Sequence, residues 1–329
     1  MKTDNVMELS IDQVKLYADQ IIAEIEKVVV GKRDVLLKFL AIFLTSGGHI
    51  LIEDYPGLAK TLIANSFAAT LGLDFKRIQF TPDLMPGDIT GGYIFDTKQN
   101  TFVLRKGPIF TNILLADEIN RASPKTQSAL LEAMQEQQVT LEGETQALPQ
   151  PFIVVATQNP IEYEGTFPLP EAQLDRFMAK LQIGYPQPEE EQEILARRLA
   201  RKDDRVSLEP VVTPEIFHAM RRVVEEVYVD PDVQLYIVDL VTKLRKHRQV
   251  VIGASPRGSL ALVKLARAWA TIQGRNYVVP DDVKYFAGNT LGHRLILEPS
   301  LWGSKTTETT VVAEVLHTVD VPVTTMRNE

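Results

Sequence analysis

Cysteine is absent from all 329 residues. That excludes disulfides, thiolate metal sites and a cysteine nucleophile. It is compatible with a reducing compartment, and a cytoplasmic location is the expectation. No apolar run approaches the ~20 residues needed to span a bilayer, so membrane insertion is not expected. The first ten residues carry acids and lack the apolar stretch of a signal peptide. Basic charge is also short, with 35 lysines and arginines against 43 acids and a net charge of −8. Gripping nucleic acid usually needs a basic face, so the balance argues against that role. The five histidines (49, 218, 247, 293 and 317) are scattered without ligand spacing, which argues against a metal-site protein. No repeat of 20–50 residues is visible. What the chain does have is 45% hydrophobic residues, enough for a sizeable core and more than one domain.

Residues 11–27 place apolar side chains at helical spacing behind Ser10, a good N-cap. A second apolar helix runs from after Gly31 to about Thr45, where Gly47-Gly48 stop it. Short apolar runs without alternation then appear at 49–53, 75–80, 113–117, 152–157 and 179–183. Helical stretches, notably 60–71 and 124–138, separate several of them. Unalternating strands between helices predict a parallel sheet covered on both faces. Two hairpins are inserted: Tyr93–Phe95 with Thr101–Leu104, and Gln138–Leu141 with Thr145–Leu148 around Glu142-Gly143-Glu144. Tyr185-Pro186-Gln187-Pro188 ends this layout. Beyond it everything reads helical (189–201, 214–228, 231–247, 256–273 and 280–291), with prolines 214, 256 and 280 at helix starts. The chain divides into an α/β domain over 1–186 and a helical domain with a C-terminal tail over 187–329.

The stretch E-D-Y-P-G-L-A-K-T, residues 53–61, poses the functional question. The strict phosphate-loop pattern G-x-x-x-x-G-K-[ST] wants glycine where Asp54 and Ala59 stand. An ordinary strand–turn–helix would read the same way. If it is a phosphate loop, backbone N–H groups and the helix dipole face an anion. Lys60 reaches the β- and γ-phosphates, and Thr61 binds Mg²⁺. Pro56 stiffens the turn, Gly57 keeps one position bare, and Ala59 fits if its φ is helical. Asp54 should repel a triphosphate unless its carboxylate points away. I-L-L-A-D-E (113–118) delivers two acids from a buried strand, and successive strand residues point oppositely. Asp117 can hold Mg²⁺, while Glu118 polarises the attacking water. F-I-V-V-A-T-Q-N-P (152–160) ends in Asn159, which could help place that water or simply make a turn. Arg176 in L-D-R-F reads as a surface ion pair. Arg257, in a first helical turn, opposes the dipole unless an anion sits nearby.

These segments in this order resemble the AAA+ ATPases, and within them the MoxR family. The resemblance is carried by P-G-L-A-K-T, R-I-Q-F-T-P-D-L-M-P-G-D-I-T-G, G-P-I-F, L-L-A-D-E-I-N-R-A, Q-S-A-L-L-E-A-M-Q-E, A-T-Q-N-P and P-L-P-E-A-Q-L-D-R-F, most of residues 49–178. G-A-S-P-R-G is the clearest landmark of the helical half, which resembles the family's lid. The implied fold is a P-loop αβα sandwich followed by a smaller all-helical lid. The resemblance implies that Asp54, Tyr55, Pro56, Gly57, Leu58, Ala59, Lys60, Thr61 and Leu62 hold ATP or ADP, with Val29, Val30 and Gly31 lining the adenine pocket. Thr61 and Asp117 would bind Mg²⁺, and Glu118 and Asn159 would act on water. Arg176 matches an arginine finger reaching a neighbour's γ-phosphate, and Arg257 matches sensor 2. The first hairpin resembles the helix-2 insertion, and such hairpins commonly face the centre of the ring. A hexamer follows from the family, as does remodelling or maturation of protein complexes, with von Willebrand factor A domain partners. Two alternatives stay open: a nucleic-acid-remodelling motor, and a nucleotide-dependent scaffold that scarcely hydrolyses.

Overall fold

The computed structural model describes residues 7–160, 165–203, 207–301 and 306–322. The end of the expected tail, residues 323–329, lies outside them. Helices α1 (Ile11–Glu26) and α2 (Arg33–Leu44) precede strand β1 (Ile50–Glu53), α3 (Lys60–Leu71) and β2 (Phe75–Gln79). A short α4 (Pro86–Thr90) leads into the hairpin β3 (Gly91–Asp96)–β4 (Thr101–Lys106). Then come β5 (Ile113–Asp117), α5 (Pro124–Glu136), the hairpin β6 (Gln138–Leu141)–β7 (Glu144–Ala147), β8 (Ile153–Gln158), α6 (Glu171–Leu174) and β9 (Ala179–Leu181). The remaining elements are α7 (Pro188–Arg201), α8 (Pro214–Glu225), α9 (Pro231–Arg245), β10 (Val250–Ile252), α10 (Pro256–Ile272), α11 (Pro280–Leu291), β11 (Ile296–Leu297) and α12 (Glu308–Leu316).

Five strands form one parallel sheet in the order β2-β5-β8-β1-β9. The period of two sorts their side chains cleanly. Ile50, Ile52, Leu115 and Val155 join one apolar cluster with α1–α3, whereas Leu51, Leu114, Ala116 and Val154 join another with Leu130 and Leu131 of α5. Both faces are therefore buried, which explains why these strands do not alternate in sequence. Phe39 and Phe43 of α2 grip α3 through Phe67, with ring centroids 5.8 and 5.2 Å away.

The first cluster runs on without a break into the lid, through Phe217, Tyr236, Leu240, Leu262, Leu265, Phe286 and Val311. Helices α1 and α2 pack directly against α8 and α10. The region beyond residue 186 is not wholly helical as expected. β10 and β11 pair antiparallel, Val250 opposite Leu297, and Tyr228 bridges Tyr277. Val250-Val251-Ile252 is a β-branched run too short to show a period, and its partner is distant in sequence. The second hairpin also turns more tightly than expected. Glu142 and Gly143 both have positive φ (49° and 84°), a two-residue type I′ turn, so Glu144 belongs to the strand. There its carboxylate accepts from the Tyr93 hydroxyl and ties the two hairpins together.

Candidate nucleotide-binding site

β1 ends at Glu53 and α3 begins at Lys60, so the loop between them lies at the carboxyl edge of the sheet. β8 stands between β1 and β5 in the sheet, which brings three strand ends to one place. The side chains of Asp117, Thr157 and Asn159 share the period of Leu115 and Val155 and so point to the α3 face. A cavity of about 460 Å³ opens there. Pro56 to Leu62 make one wall; Arg77, Gln79, Asp117, Glu118, Thr157 and Asn159 make the other. Gly57 has φ +81° and open space where a Cβ would sit. The first N–H groups of the twelve-residue α3 have no intrahelical partner and face an anion-sized space. Two carboxylates opposite a helix N-terminus suit a phosphate chain with a divalent cation.

The acids are held by residues that the motifs alone do not reveal. Asp117 Oδ2 accepts from Arg77 Nη2 at 2.6 Å, and its Oδ1 accepts from the Thr157 hydroxyl at 2.7 Å. That hydroxyl oxygen also accepts from Glu118 N at 2.8 Å, fixing Glu118 in the left-handed region (φ 55°, ψ 51°). Glu118 Oε2 accepts from Gln79 Nε2 at 2.7 Å and from Arg121 Nη1 at 3.1 Å. Lys60 Nζ donates to the Asp54 carbonyl, and burial pulls its pKa below the usual lysine value while Asp54, Asp117 and Glu118 oppose that shift. Arg77 and Gln79 are exposed polar residues on an edge strand, so in sequence they read as a solvated face. Thr157 sits within the A-T-Q-N-P run, and its alternation with Val155 was the one available signal.

Two expectations for the loop are corrected. Ala59 is not in a right-handed helical conformation but has φ 56° and ψ 17°. The strict pattern places glycine there for that reason, and alanine holds the conformation at a cost of about 1–2 kcal/mol. Asp54 does not present its carboxylate to the cavity. It is 6% exposed; Oδ2 accepts from Ile183 N and Gly184 N, each at 2.7 Å, and Oδ1 accepts from Tyr55 N at 2.9 Å. It fastens the loop to the chain leaving β9.

Tyr55, Val30 and Gly31 lie apart from this cavity, towards the same linker. The Tyr55 ring is 5.8 Å from that of Tyr185, and Lys32 Nζ donates to Tyr185 O. Gly31 has φ +71°, and Glu190 at the start of α7 fills the space a Cβ would need. Arg176 and Arg257 are not brought to the loop either. They share a second cavity of about 320 Å³, lined also by His49, Lys264 and Arg294. Among the described residues neither guanidinium makes an ion pair, and Arg176 Nε is buried without a hydrogen-bond partner. The surface ion pair that L-D-R-F suggests belongs instead to Asp175, which Arg294 takes.

Two family models match the chain: the ATPase family associated with various cellular activities (AAA) over residues 49–179, and an AAA lid domain over 242–315. Sheet, loop and lid together define an AAA+ P-loop protein. A crystal structure from Cytophaga hutchinsonii, described only as a candidate ATPase, superposes with a TM-score of 0.88 at 39% identity, covering 95% of this chain and 97% of that one. The chain is 42% identical over 322 residues to chaperone MoxR1 of Mycobacterium tuberculosis, covering 92% of this chain and 82% of that one. It is 50% identical over 303 residues to the uncharacterised protein YeaC of Bacillus subtilis, covering 92% and 94%. The chain belongs to the MoxR family of AAA+ ATPases.

Proposed function

We propose that this chain hydrolyses ATP in an Mg²⁺-dependent reaction as a cytoplasmic ring, hexameric as the family implies, that remodels or matures protein complexes. Lys60 and the N–H groups opening α3 bind the β- and γ-phosphates, with Val30, Gly31 and Tyr55 on the base side. Thr61 and Asp117 hold Mg²⁺, which neutralises charge on the phosphates when bound. Glu118, oriented by Gln79, Arg121 and the Thr157 hydroxyl, accepts the proton of the attacking water, and Asn159 helps place that water. Arg176 and Arg257 stabilise the transferring phosphate of a neighbour.

One observation carries this reading. The loop and acids line one cavity, whereas Arg176 and Arg257, without an ion pair among the described residues, line another in the same chain. A second copy that sets its arginines against the first copy's loop completes the site. Protein clients, including von Willebrand factor A domains, suit the first hairpin better than nucleic acid does. Its exposed residues include Ile94, Phe95 and Phe102, and the exposed Lys106 lies over the Phe110 ring.

The test is ATP turnover per subunit across a wide dilution series with Mg²⁺, beside Glu118→Gln and Arg176→Ala. Specific activity should rise with concentration, and both variants should lose turnover while still binding nucleotide. Arginine-finger loss is worth about 10³–10⁵ in rate. A wild type that binds ATP but turns over no faster than Glu118→Gln would instead make the protein a nucleotide-dependent scaffold.

A further inference from the structure

Arg294 is an arginine with a side chain only 3% exposed, and most of its hydrogen bonds go to residues 175, 177 and 178 around Arg176. Its Nε donates to Asp175 Oδ1 at 2.7 Å and its Nη2 to Phe177 O at 2.7 Å and Asp175 O at 3.2 Å. Nη1 donates to Met178 O at 3.3 Å and to Thr290 O in the last turn of α11. The second oxygen of Asp175 accepts from the Ser255 hydroxyl at 2.9 Å. Ser255 is the N-cap of α10, and its oxygen accepts from the backbone N of Arg257 at 3.1 Å. One carboxylate therefore joins the residue beside Arg176, the cap beneath Arg257 and a buried arginine of the lid.

Breaking a buried, hydrogen-bonded ion pair leaves an uncompensated charge, so this contact persists through small movements of the lid. We propose that Asp175 and Arg294 are positioning residues that lock Arg176 and Arg257 onto one rigid edge, so that both guanidinium groups reach the neighbour's nucleotide as a unit. This rests on the reading that the two arginines act across a subunit contact. A finger set loosely by 1 Å loses about 100-fold in rate, which is the scale of the effect expected.

The experiment mixes subunits. Asp175→Ala should lower kcat about 100-fold and leave the Kd for a fluorescent ATP analogue unchanged, because its own loop is intact. Mixed with equal Glu118→Gln, it should regain roughly a quarter of wild-type turnover, the share of head-to-tail contacts that pair an intact loop with an intact arginine edge. Arg176→Ala mixed with Glu118→Gln is the control. If the control recovers and the Asp175→Ala mixture does not, Asp175 serves its own subunit's fold or pocket and the proposal is overturned. If the control itself fails, the cross-subunit reading falls first. Ser255→Ala deletes two hydrogen bonds, the one given to Asp175 Oδ2 and the cap bond from Arg257 N, and spares the buried pair, so the fold is kept. Its kcat should fall several-fold at unchanged nucleotide Kd, and an unchanged kcat overturns the link to Arg257.

Discussion

Replacing Asp54 with glycine sets two accounts of the phosphate loop against each other. If the carboxylate repels nucleotide, Asp54→Gly should bind ATP more tightly and turn over faster. The observed bonding argues for a structural role. Three N–H groups converge on a side chain 6% exposed, and two of them, Ile183 N and Gly184 N, belong to the linker after β9. The Tyr55 N–H lies on a residue 39% exposed and can turn to water. The Ile183 N–H, on a residue 6% exposed, has no such recourse and the half-buried Gly184 N–H has less than Tyr55; each orphaned donor costs about 1–3 kcal/mol. Glycine adds about 0.5–1 kcal/mol of lost backbone order, for a total of roughly 2.5–7 kcal/mol. That is a large share of the 5–15 kcal/mol typical of a domain. Chemical denaturation reads the stability, while nucleotide titration and turnover read the site. Asp54→Asn should fall between, since its carbonyl keeps the two linker donors while its amide faces Tyr55 N. A glycine variant as stable as wild type that binds ATP more tightly would refute the reasoning.

Ala59→Gly should raise stability by up to about 1 kcal/mol at the left-handed loop position, measured as a shift in denaturation midpoint. Thr157→Val keeps the strand but strands the Glu118 N–H, so kcat should fall while nucleotide Kd changes little; equal changes in both would count against this. His49 is 2% exposed, with Nε2 facing Met134 O at 3.1 Å and Nδ1 accepting from Val154 N at 3.0 Å. Burial pulls its pKa down to about 4. A depressed histidine takes up its proton on unfolding, so stability present above pH ~6.5 is lost as pH falls towards 4, by about 3 kcal/mol from this residue. His49→Gln should flatten the pH dependence of unfolding between pH 6.5 and 4, and an unchanged slope would remove the assignment.

The parallel sheet, both hairpins and most of the lid helices are legible because their signals are local: apolar runs, turn residues, and proline behind a capping hydroxyl. The parts that escape reading depend on partners far along the chain. Asp54 looks hostile to phosphate until Ile183 and Gly184 come to meet it. Arg77 and Gln79 look like solvated strand residues until β2 pairs with β5 and sets them beside Asp117 and Glu118. Arg294 looks like a surface cation, since nothing in G-H-R-L-I-L announces that the carbonyls of residues 175, 177 and 178 will receive it. The strands β10 and β11 are too short to carry any period. Ala59 shows a limit of another kind: a residue name states no φ, and only the completed turn demands a left-handed one.

The apolar cluster that passes from α1–α3 into α8–α12 makes the chain mechanically continuous. Helices that precede the first strand serve as a shared floor for the sheet and the lid, so cutting the chain near residue 186 would expose to water the faces of α1 and α2 that α8 and α10 cover, and the covering faces with them. Helices packed in this way slide past one another by small amounts rather than swing apart. Packing of this kind favours shear over hinge opening for any movement between the sheet layer and the lid.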